Sequence, residues 1–164
     1  MKERKKRIPR VKVLFVCTGN TCRSPMAEFI FKDYIRSLKL SGRITVSSAG
    51  ICAEPGAPMT AEAAQALKDM GVKYTARTAV QLTLKAAENA DLIVCMTDEH
   101  KRAIGTSPKL VTVAELTGGE PVRDPYGCGE MAYRKCAEHL RYACEDIFAE
   151  LKKRFGDKLY PDSV

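Results

Sequence analysis

The chain has 164 residues, of which 45% are apolar and 29% charged, so its composition predicts a compact domain and excludes an intrinsically disordered chain. A net charge of +7 at pH 7 points at first to nucleic acid or anionic lipid as a partner. The first twelve residues, however, carry seven cations and one anion, a net +6. Since 7 − 6 leaves +1 for the rest, we predict a basic tail over residues 1–10 and one nearly neutral domain over residues 11–164.

Cysteine content and hydropathy indicate the compartment. The seven cysteines are odd in number and irregularly spaced, which disfavours a disulfide framework and favours reduced thiols. The apolar run at 11–17 is short and contains Lys12, unlike the apolar core of a secretory signal. No apolar run approaches the length of a membrane span. We therefore expect a cytoplasmic protein with neither a membrane nor a nucleic acid as its partner.

Short β-branched runs alternate with helical patterns along the chain. The runs predict buried strands over residues 11–16, 43–48, 91–96 and 109–113. Apolar spacing and capping residues predict helices over residues 25–38, 60–70, 84–90, 98–104 and about 131–155, with Ser24 as the N-cap of the first. This alternation predicts an α/β fold of three layers, α/β/α, with a four-stranded parallel sheet. Because ligands bind beyond the carboxyl ends of such strands, the segment after Val16 is the first candidate site.

Residues 17–24 have the composition of a phosphate-binding loop that contains a nucleophile. A loop that enters a helix N-terminus directs several backbone N–H groups and the helix dipole to one point. Arg23 can donate two parallel N–H groups to phosphate oxygens, and the same positive field favours the thiolate of Cys17. Gly19 and Asn20 tolerate the left-handed backbone of a tight turn. The residues expected to surround the phosphate are Thr18, Gly19, Asn20, Thr21, Cys22 and Ser24.

A general acid for the leaving group is expected in the late loop that is rich in glycine and proline. Asp124 offers a carboxylate fixed by the following proline, and Tyr126 offers an aromatic wall for the substrate side chain. A second Cys-x5-Arg match, at Cys128 and Arg134, follows no strand, and we interpret it as a chance pairing.

The chain has two histidines, His100 and His139, and both lie in charged stretches. We expect both at the surface. Cysteine–histidine hydrolysis and a histidine-based metal site are therefore disfavoured, and neither a metal nor another cofactor is expected.

Residues 13–28 read VLFVCTGNTCRSPMAE and residues 124–127 read DPYG. Both motifs resemble those of the low-molecular-weight protein tyrosine phosphatase family, and residues 48–50 and 90–97 also resemble family segments. The similarity extends from residue 11 to the last helix and leaves out only the basic tail. The resemblance implies a four-stranded parallel sheet flanked by helices.

The same resemblance assigns roles to individual residues. It implies that Cys17 is the nucleophile, that Arg23 binds the phosphate and that Asp124 is the general acid. Asn20 and Ser24 would organise the loop. The partner would be a phosphorylated protein, and inorganic phosphate would be a product.

Thr21 occupies a position that divides the family. Tyrosine-specific members usually carry an aliphatic residue there, whereas a threonine resembles the protein arginine phosphatases. The threonine hydroxyl can orient water or bind a guanidinium group, and the single tyrosine at Tyr126 points the same way. We therefore predict phosphoarginine as the substrate, with phosphotyrosine as the alternative. Tyr74 departs from the family, which often has a histidine in that segment.

Two other functions and one regulatory device stay open. An arsenate reductase of the same fold would need a second cysteine such as Cys52 or Cys95 to relay a disulfide from Cys17. A binder of nucleic acid or acidic surfaces would use the basic tail. Cys22, five residues after Cys17, is expected to form a reversible disulfide with it under peroxide.

Overall fold

The computed structural model describes residues 9–163 of the chain, and most of the predicted basic tail lies outside them. The strands are β1 (Val11–Cys17), β2 (Ile44–Gly50), β3 (Leu92–Cys95) and β4 (Leu110–Thr112). The helices are α1 (Arg23–Ser37), α2 (Ala61–Asp69), α3 (Leu84–Asn89), α4 (Asp98–Ile104), α5 (Val113–Thr117) and α6 (Glu130–Leu159). A 3₁₀ turn, Pro161–Ser163, follows α6.

All four strands are parallel and lie in the order β2-β1-β3-β4. The central strand β1 has neighbours on both sides, with Cys17 opposite Gly50 of β2 and Val16 opposite Cys95 of β3. The chain leaves β1 for β2 on one side and reaches β3 on the other. The carboxyl end of β1 is therefore the topological switch point, where open α/β sheets bind their ligands.

Helices cover both faces of the sheet. On one face, alternate β1 residues such as Phe15 pack with α1, α2 and α6 into the larger core cluster, which includes Met26 and Leu140. On the other face, Leu14 and Val16 belong to a smaller cluster beside α3 and α4. The predicted three-layer α/β/α arrangement with a four-stranded parallel sheet is confirmed.

One helix was not predicted. Helix α5 follows β4 without a loop, because Thr112 ends the strand and also caps the helix. Its hydroxyl accepts the Glu115 N–H at 3.1 Å, and the Glu115 carboxylate accepts the Thr112 N–H at 2.9 Å. The boundary between β4 and α5 cannot be predicted from the apolar run at 109–113, because its valines are compatible both with the end of a strand and with the start of a short helix. Within residues 9–163, no helix has the length and apolar content needed to cross a membrane.

Candidate active site

The loop from Cys17 to Cys22 connects β1 to α1 and places the Cys17 sulfur above the start of the helix. The Ser24 hydroxyl lies 2.9 Å from this sulfur, and the Asn20 N–H donates to it at 3.3 Å. Cys17, Cys22 and Ser24 are all buried. The predicted N-cap role of Ser24 is wrong: α1 begins at Arg23, Cys22 occupies the N-cap, and the Ser24 hydroxyl faces the nucleophile instead.

Asn20 holds the turn of the loop in a left-handed conformation, with φ of 56°. Its side-chain amide donates to Ser24 Oγ at 2.8 Å and to Ser48 Oγ at 2.9 Å, while its carbonyl oxygen accepts the Val80 N–H at 2.9 Å. The side chain is 1% exposed. These bonds offset the cost of a positive φ, which is low for asparagine among the non-glycine residues.

Arg77 contributes to this site although the sequence analysis did not identify it. Its guanidinium donates to Asn20 Oδ1 at 2.9 Å, to Ser48 Oγ at 2.8 Å and to the Glu28 carboxylate at 2.5 Å. The guanidinium group of Arg77 thus connects the phosphate loop to strand β2 and to helix α1. The signal in the sequence was Glu28, an acidic residue on the buried face of a helix, which requires a cationic partner.

Gly50 lets the loop approach strand β2 closely. A Cβ at this position would lie 2.4 Å from the Thr18 carbonyl oxygen and 3.0 Å from the Asn20 nitrogen. Beyond Gly50, the Ile51 and Cys52 N–H groups donate to the carbonyl oxygens of residues 17 and 18 at 3.0 and 2.9 Å. The strand and the loop therefore pack backbone against backbone.

Arg23 and Asp124 meet across the site. Arg23 is 6% exposed, and one of its terminal nitrogens donates to the Val122 carbonyl oxygen at 3.2 Å. The other lies 3.6 Å from Asp124 Oδ2. The second oxygen of Asp124 accepts the Tyr126 N–H at 3.1 Å, which fixes the carboxylate, while the Tyr126 side chain is exposed.

A cavity of about 210 Å³ brings the predicted residues together. It is lined by Cys17, Thr18, Gly19, Asn20, Thr21, Cys22, Arg23, Asp124 and Tyr126. Ser24 does not line the cavity and contacts the sulfur of Cys17. A wider cavity of about 460 Å³ shares Asp124 but contains no residue of the loop 17–24. Since the smaller cavity holds the thiol, the guanidinium and the carboxylate, it is the candidate active site.

His100 is buried, so the surface position predicted for it is wrong. Its Nε2 lies 2.8 Å from Thr18 Oγ1, and its Nδ1 lies 3.0 Å from Thr97 Oγ1. Burial, reinforced by the charge of Arg23, lowers the pKa of His100 to about 4, so the imidazole is neutral at neutral pH. The charged residues on either side of His100 in α4 suggested a surface position. His100 itself, however, lies on the side of the helix that packs against the phosphate loop, where it contacts Thr18.

Cys22 lies among hydroxyl groups. Its sulfur is 3.3 Å from the Tyr133 hydroxyl, 3.5 Å from Thr60 Oγ1 and 3.7 Å from Thr21 Oγ1. Burial raises the pKa of Tyr133, whose hydroxyl therefore stays protonated. Helices α2 and α6 are thus in contact with the second half of the loop.

Three of the remaining cysteines are unsuited to a disulfide relay. Burial raises the pKa of Cys95 to about 12, and that of Cys136 and Cys144 likewise to about 12, so these side chains are thiols and not reactive thiolates. Cys52 and Cys128 are exposed.

The relatives of the chain are named either as arginine phosphatases or as tyrosine phosphatases. A protein-arginine-phosphatase of Bacillus subtilis is 34% identical over 148 residues, which are 86% of this chain and 97% of the relative. The low molecular weight protein-tyrosine-phosphatase YfkJ of the same organism is 29% identical over 153 residues, 87% and 97% of the two chains.

A solved structure described as the YwlE arginine phosphatase, a cysteine-to-serine mutant with a phosphorylated active-site serine, superimposes with a TM-score of 0.81. The two sequences are 33% identical, and the superposition covers 89% of this chain and 99% of the YwlE chain. The family model described as low molecular weight phosphotyrosine protein phosphatase matches residues 12–156. The chain belongs to the low molecular weight phosphotyrosine protein phosphatase family.

Proposed function

We propose that the protein hydrolyses phosphoarginine in proteins through a cysteinyl-phosphate intermediate on Cys17. The observation that carries this proposal is the single small cavity in which the Cys17 sulfur, the Arg23 guanidinium and the Asp124 carboxylate meet at the N-terminus of α1. Membership of a phosphatase family supports phosphorylated proteins as the class of substrate.

In the first step, the Cys17 thiolate attacks phosphorus, and the bond from phosphorus to the leaving nitrogen breaks. Arg23 and the loop N–H groups bind the non-bridging oxygens, where negative charge accumulates. Asp124, in its protonated form, gives a proton to the departing guanidine. The Ser24 hydroxyl, 2.9 Å from the sulfur, stabilises the thiolate.

In the second step, water attacks the phosphorus of the cysteinyl-phosphate, and the sulfur leaves as a thiolate that Ser24 again stabilises. Asp124 now accepts the proton of the water, and Thr21 at the wall of the cavity assists in orienting that water. The phosphorylated active-site serine in the cysteine-to-serine mutant of a relative supports a covalent intermediate on the nucleophile.

Two observations favour phosphoarginine over phosphotyrosine. Thr21, which lines the cavity, carries a hydroxyl that can bind a guanidinium group or orient water. Two relatives, from Bacillus subtilis and Geobacillus stearothermophilus, are arginine phosphatases by name. Phosphotyrosine is the second candidate, because the relative YfkJ is named a tyrosine phosphatase.

A side-by-side assay of phosphoarginine and phosphotyrosine peptides tests the substrate. We expect the wild-type enzyme to give the higher kcat/KM with phosphoarginine, and the Thr21→Ile variant to shift the ratio towards phosphotyrosine, because isoleucine offers no hydroxyl. A Thr21→Ser variant is the matched control and should keep the preference. An unchanged ratio in Thr21→Ile would remove the main reason for choosing phosphoarginine.

Two further variants test the mechanism. Cys17→Ser should abolish turnover, because an alcohol is a far weaker nucleophile than a thiolate. Asp124→Asn should lower kcat by about 10²–10⁴, the usual contribution of a general acid, while the inhibition constant of inorganic phosphate stays close to that of the wild type. Turnover retained by Cys17→Ser would disprove the covalent mechanism.

We also propose that residues 11–164 form the catalytic domain of a cytoplasmic enzyme and that residues 1–10 lie outside it. The seven cysteines, none of which forms a disulfide, support a reducing compartment. The Arg10 side chain, which donates to the Gly42 carbonyl oxygen at 3.2 Å, marks where the chain enters the sheet.

A further inference from the structure

A groove leads from the active site along the first turns of helix α6. One wall is a stripe of residues on one face of the helix, namely Met131, Ala132, Lys135, Cys136 and His139. The other wall is the loop at 120–125. The groove has a volume of about 460 Å³, and Asp124, which lies in its loop wall, also lines the smaller active-site cavity. The two cavities therefore meet at the general acid.

The groove is long enough for several residues of an extended peptide. Met131 and His139 are eight positions apart, which corresponds to about 12 Å along the axis of a helix. An extended chain advances about 3.3 Å per residue, so about three to four residues fit along this wall. The active-site cavity, of about 210 Å³, has room for little more than one phosphorylated side chain. The polypeptide that carries this side chain must continue across the rim, where the groove begins.

The rim of the groove has an excess of positive charge. Arg123 and Lys135 are exposed, and within residues 9–163 neither takes part in an ion pair. Of the two carboxylates in the lining, that of Asp124 faces Arg23 at 3.6 Å, which leaves Glu120 alone against two cations. A carboxylate on a peptide in the groove would therefore meet a cation that has no other partner.

We infer that the groove between α6 and the loop at 120–125 binds the segment of the substrate protein that flanks the phosphorylated residue, and that it favours an acidic side chain there. Continuity with the active site through Asp124 identifies the segment, and the excess of positive charge identifies the side chain. This inference rests on the proposed function and adds to it the sequence around the phosphorylated residue. Lys135 would bind the substrate without taking part in the reaction.

The test compares phosphoarginine peptides that differ at a single position, which carries Glu, Gln or Leu. The varied position is placed in turn at each of the four residues on either side of the phosphoarginine. At one or more of these positions, kcat/KM should be about two- to fivefold higher with Glu than with Gln, the effect of one exposed ion pair. Salt screens such a pair, so the advantage of Glu should shrink at high ionic strength.

Lys135→Glu tests whether the advantage of Glu arises in the groove. The reversed charge should abolish or invert this advantage, while kcat/KM for free phosphoarginine, which does not extend into the groove, stays close to that of the wild type. Lys85→Glu is the matched control and should keep the advantage, because Lys85 is an exposed residue of α3 that lines neither cavity. Arg123 is kept in all variants, because it is adjacent in sequence to the general acid.

Three results would overturn the inference and leave the proposed function intact. The first is equal kcat/KM for Glu and Gln at every position, or an advantage of Glu that persists in Lys135→Glu. The second is a preference for Leu, which would assign an apolar side chain to the groove. The third is a specific activity towards all peptides that falls as the enzyme is concentrated, which would place a second copy of the chain there.

The same peptides made with phosphotyrosine distinguish the failure of the inference from the failure of the proposed function. If only the phosphotyrosine series is hydrolysed, the proposed substrate is wrong. An advantage of Glu over Gln in that series, abolished by Lys135→Glu, would then support the groove independently of the phosphorylated residue. Equal values for Glu and Gln in that series would overturn the inference as well.

Discussion

Arg77 is linked to the nucleophile by a chain of three hydrogen bonds through the side chains of Asn20 and Ser24. Its guanidinium binds the Asn20 carbonyl oxygen, the Asn20 amide donates to Ser24 Oγ, and Ser24 Oγ lies 2.9 Å from the Cys17 sulfur. A cation on the carbonyl oxygen polarises the amide and strengthens it as a donor on the other side. Arg77 therefore stabilises both the left-handed turn at Asn20 and the hydroxyl that faces the sulfur.

We predict that Arg77→Met lowers kcat and also lowers the free energy of unfolding. The loss of stability should reach roughly 3–5 kcal/mol if Glu28 behaves as a fully unpaired buried charge, and less if its contact with Lys32 at 3.7 Å compensates. Arg77→Lys should recover part of the stability but not all of kcat, because an ammonium group cannot bind Asn20, Ser48 and Glu28 in the same geometry. Urea unfolding and steady-state kinetics measure the two effects.

The double variant Arg77→Met/Glu28→Gln is the control for the unpaired charge. It should regain stability relative to Arg77→Met, because no buried carboxylate is left without its guanidinium. Its kcat should remain low, because Asn20 still lacks its partner. Recovery of kcat together with stability would show that Arg77 serves only as the counter-ion of Glu28.

We propose a redox function for Cys22, which lines the same cavity as Cys17 and is a free thiol. Peroxide should inactivate the wild-type enzyme, and a dithiol should restore most of the activity, because a disulfide between the two cysteines prevents further oxidation of Cys17. In Cys22→Ser, inactivation by peroxide should become largely irreversible. Cys52→Ser, which removes an exposed thiol outside the cavity, is the control. Full recovery of Cys22→Ser would rule the disulfide out.

Individual residues differ in how far the sequence predicts them. Cys17 and Arg23 are placed together as the motif led us to expect, because a strand, a turn and a helix start fix their geometry locally. Asp124 also lies in the cavity, but it was expected there from the need for a general acid and from the family resemblance, not from local geometry. Arg77 was missed and His100 was wrongly predicted at the surface, because their contacts with the loop span 57 and 82 positions of sequence. A polar residue can be assigned to the interior only when its hydrogen-bond partner is known, and the local sequence pattern does not identify partners that are distant in the chain.

At the scale of elements, the end of β2 shapes the loop. Gly50 stands opposite Cys17 in the sheet, and the loop backbone passes where a side chain at position 50 would be. The atoms concerned are backbone atoms of residues 18–20 and have no rotamer with which to yield. The sequence analysis ended the predicted strand at residue 48, and the close approach that requires glycine at position 50 appears only when β1 and β2 are paired.

We predict that Gly50→Ala weakens phosphate binding. Relief of the 2.4 Å approach to the Thr18 carbonyl oxygen must move the loop, at a cost of roughly 1–3 kcal/mol typical of overpacking. The inhibition constant of inorganic phosphate should rise about tenfold or more, and kcat/KM should fall with it. Gly42→Ala is the matched control, because a Cβ there meets no atom within 4 Å. Equal effects of the two changes would contradict this account of Gly50.

The boundaries of elements were predicted less well than their existence. Helix α4 runs from Asp98 to Ile104 as predicted, because Thr97 caps it and Gly105 ends it. Helix α1 begins two residues before the predicted start at Pro25, because the backbone of the phosphate loop already turns into the helix at Arg23. The Ser24 hydroxyl, expected to cap the helix, faces the sulfur of Cys17 instead.

At the scale of the whole molecule, the alternation of strands and helices was sufficient to predict three layers and a parallel sheet. The strand order β2-β1-β3-β4 was not predicted, because all four runs are short and apolar and the local pattern does not distinguish a central strand from an edge strand.

The distribution of net charge is also a property of the whole chain. Six of the seven net charges come from the first twelve residues, while the site itself relies on Arg23.

The central place of β1 in the sheet has a consequence for local unfolding. Strand β1 has hydrogen-bonded neighbours on both sides, and its residues other than Lys12 are buried. Amide protons of such a strand exchange with solvent only when the whole domain opens, whereas those of a three-residue edge strand such as β4 exchange through smaller fluctuations. The nucleophile is thus attached to one of the two inner strands, and the other, β3, is equally enclosed. Deuterium labels in β1 and β3 should outlast those in the edge strands β2 and β4, and the phosphate loop should lose its shape only as the domain unfolds.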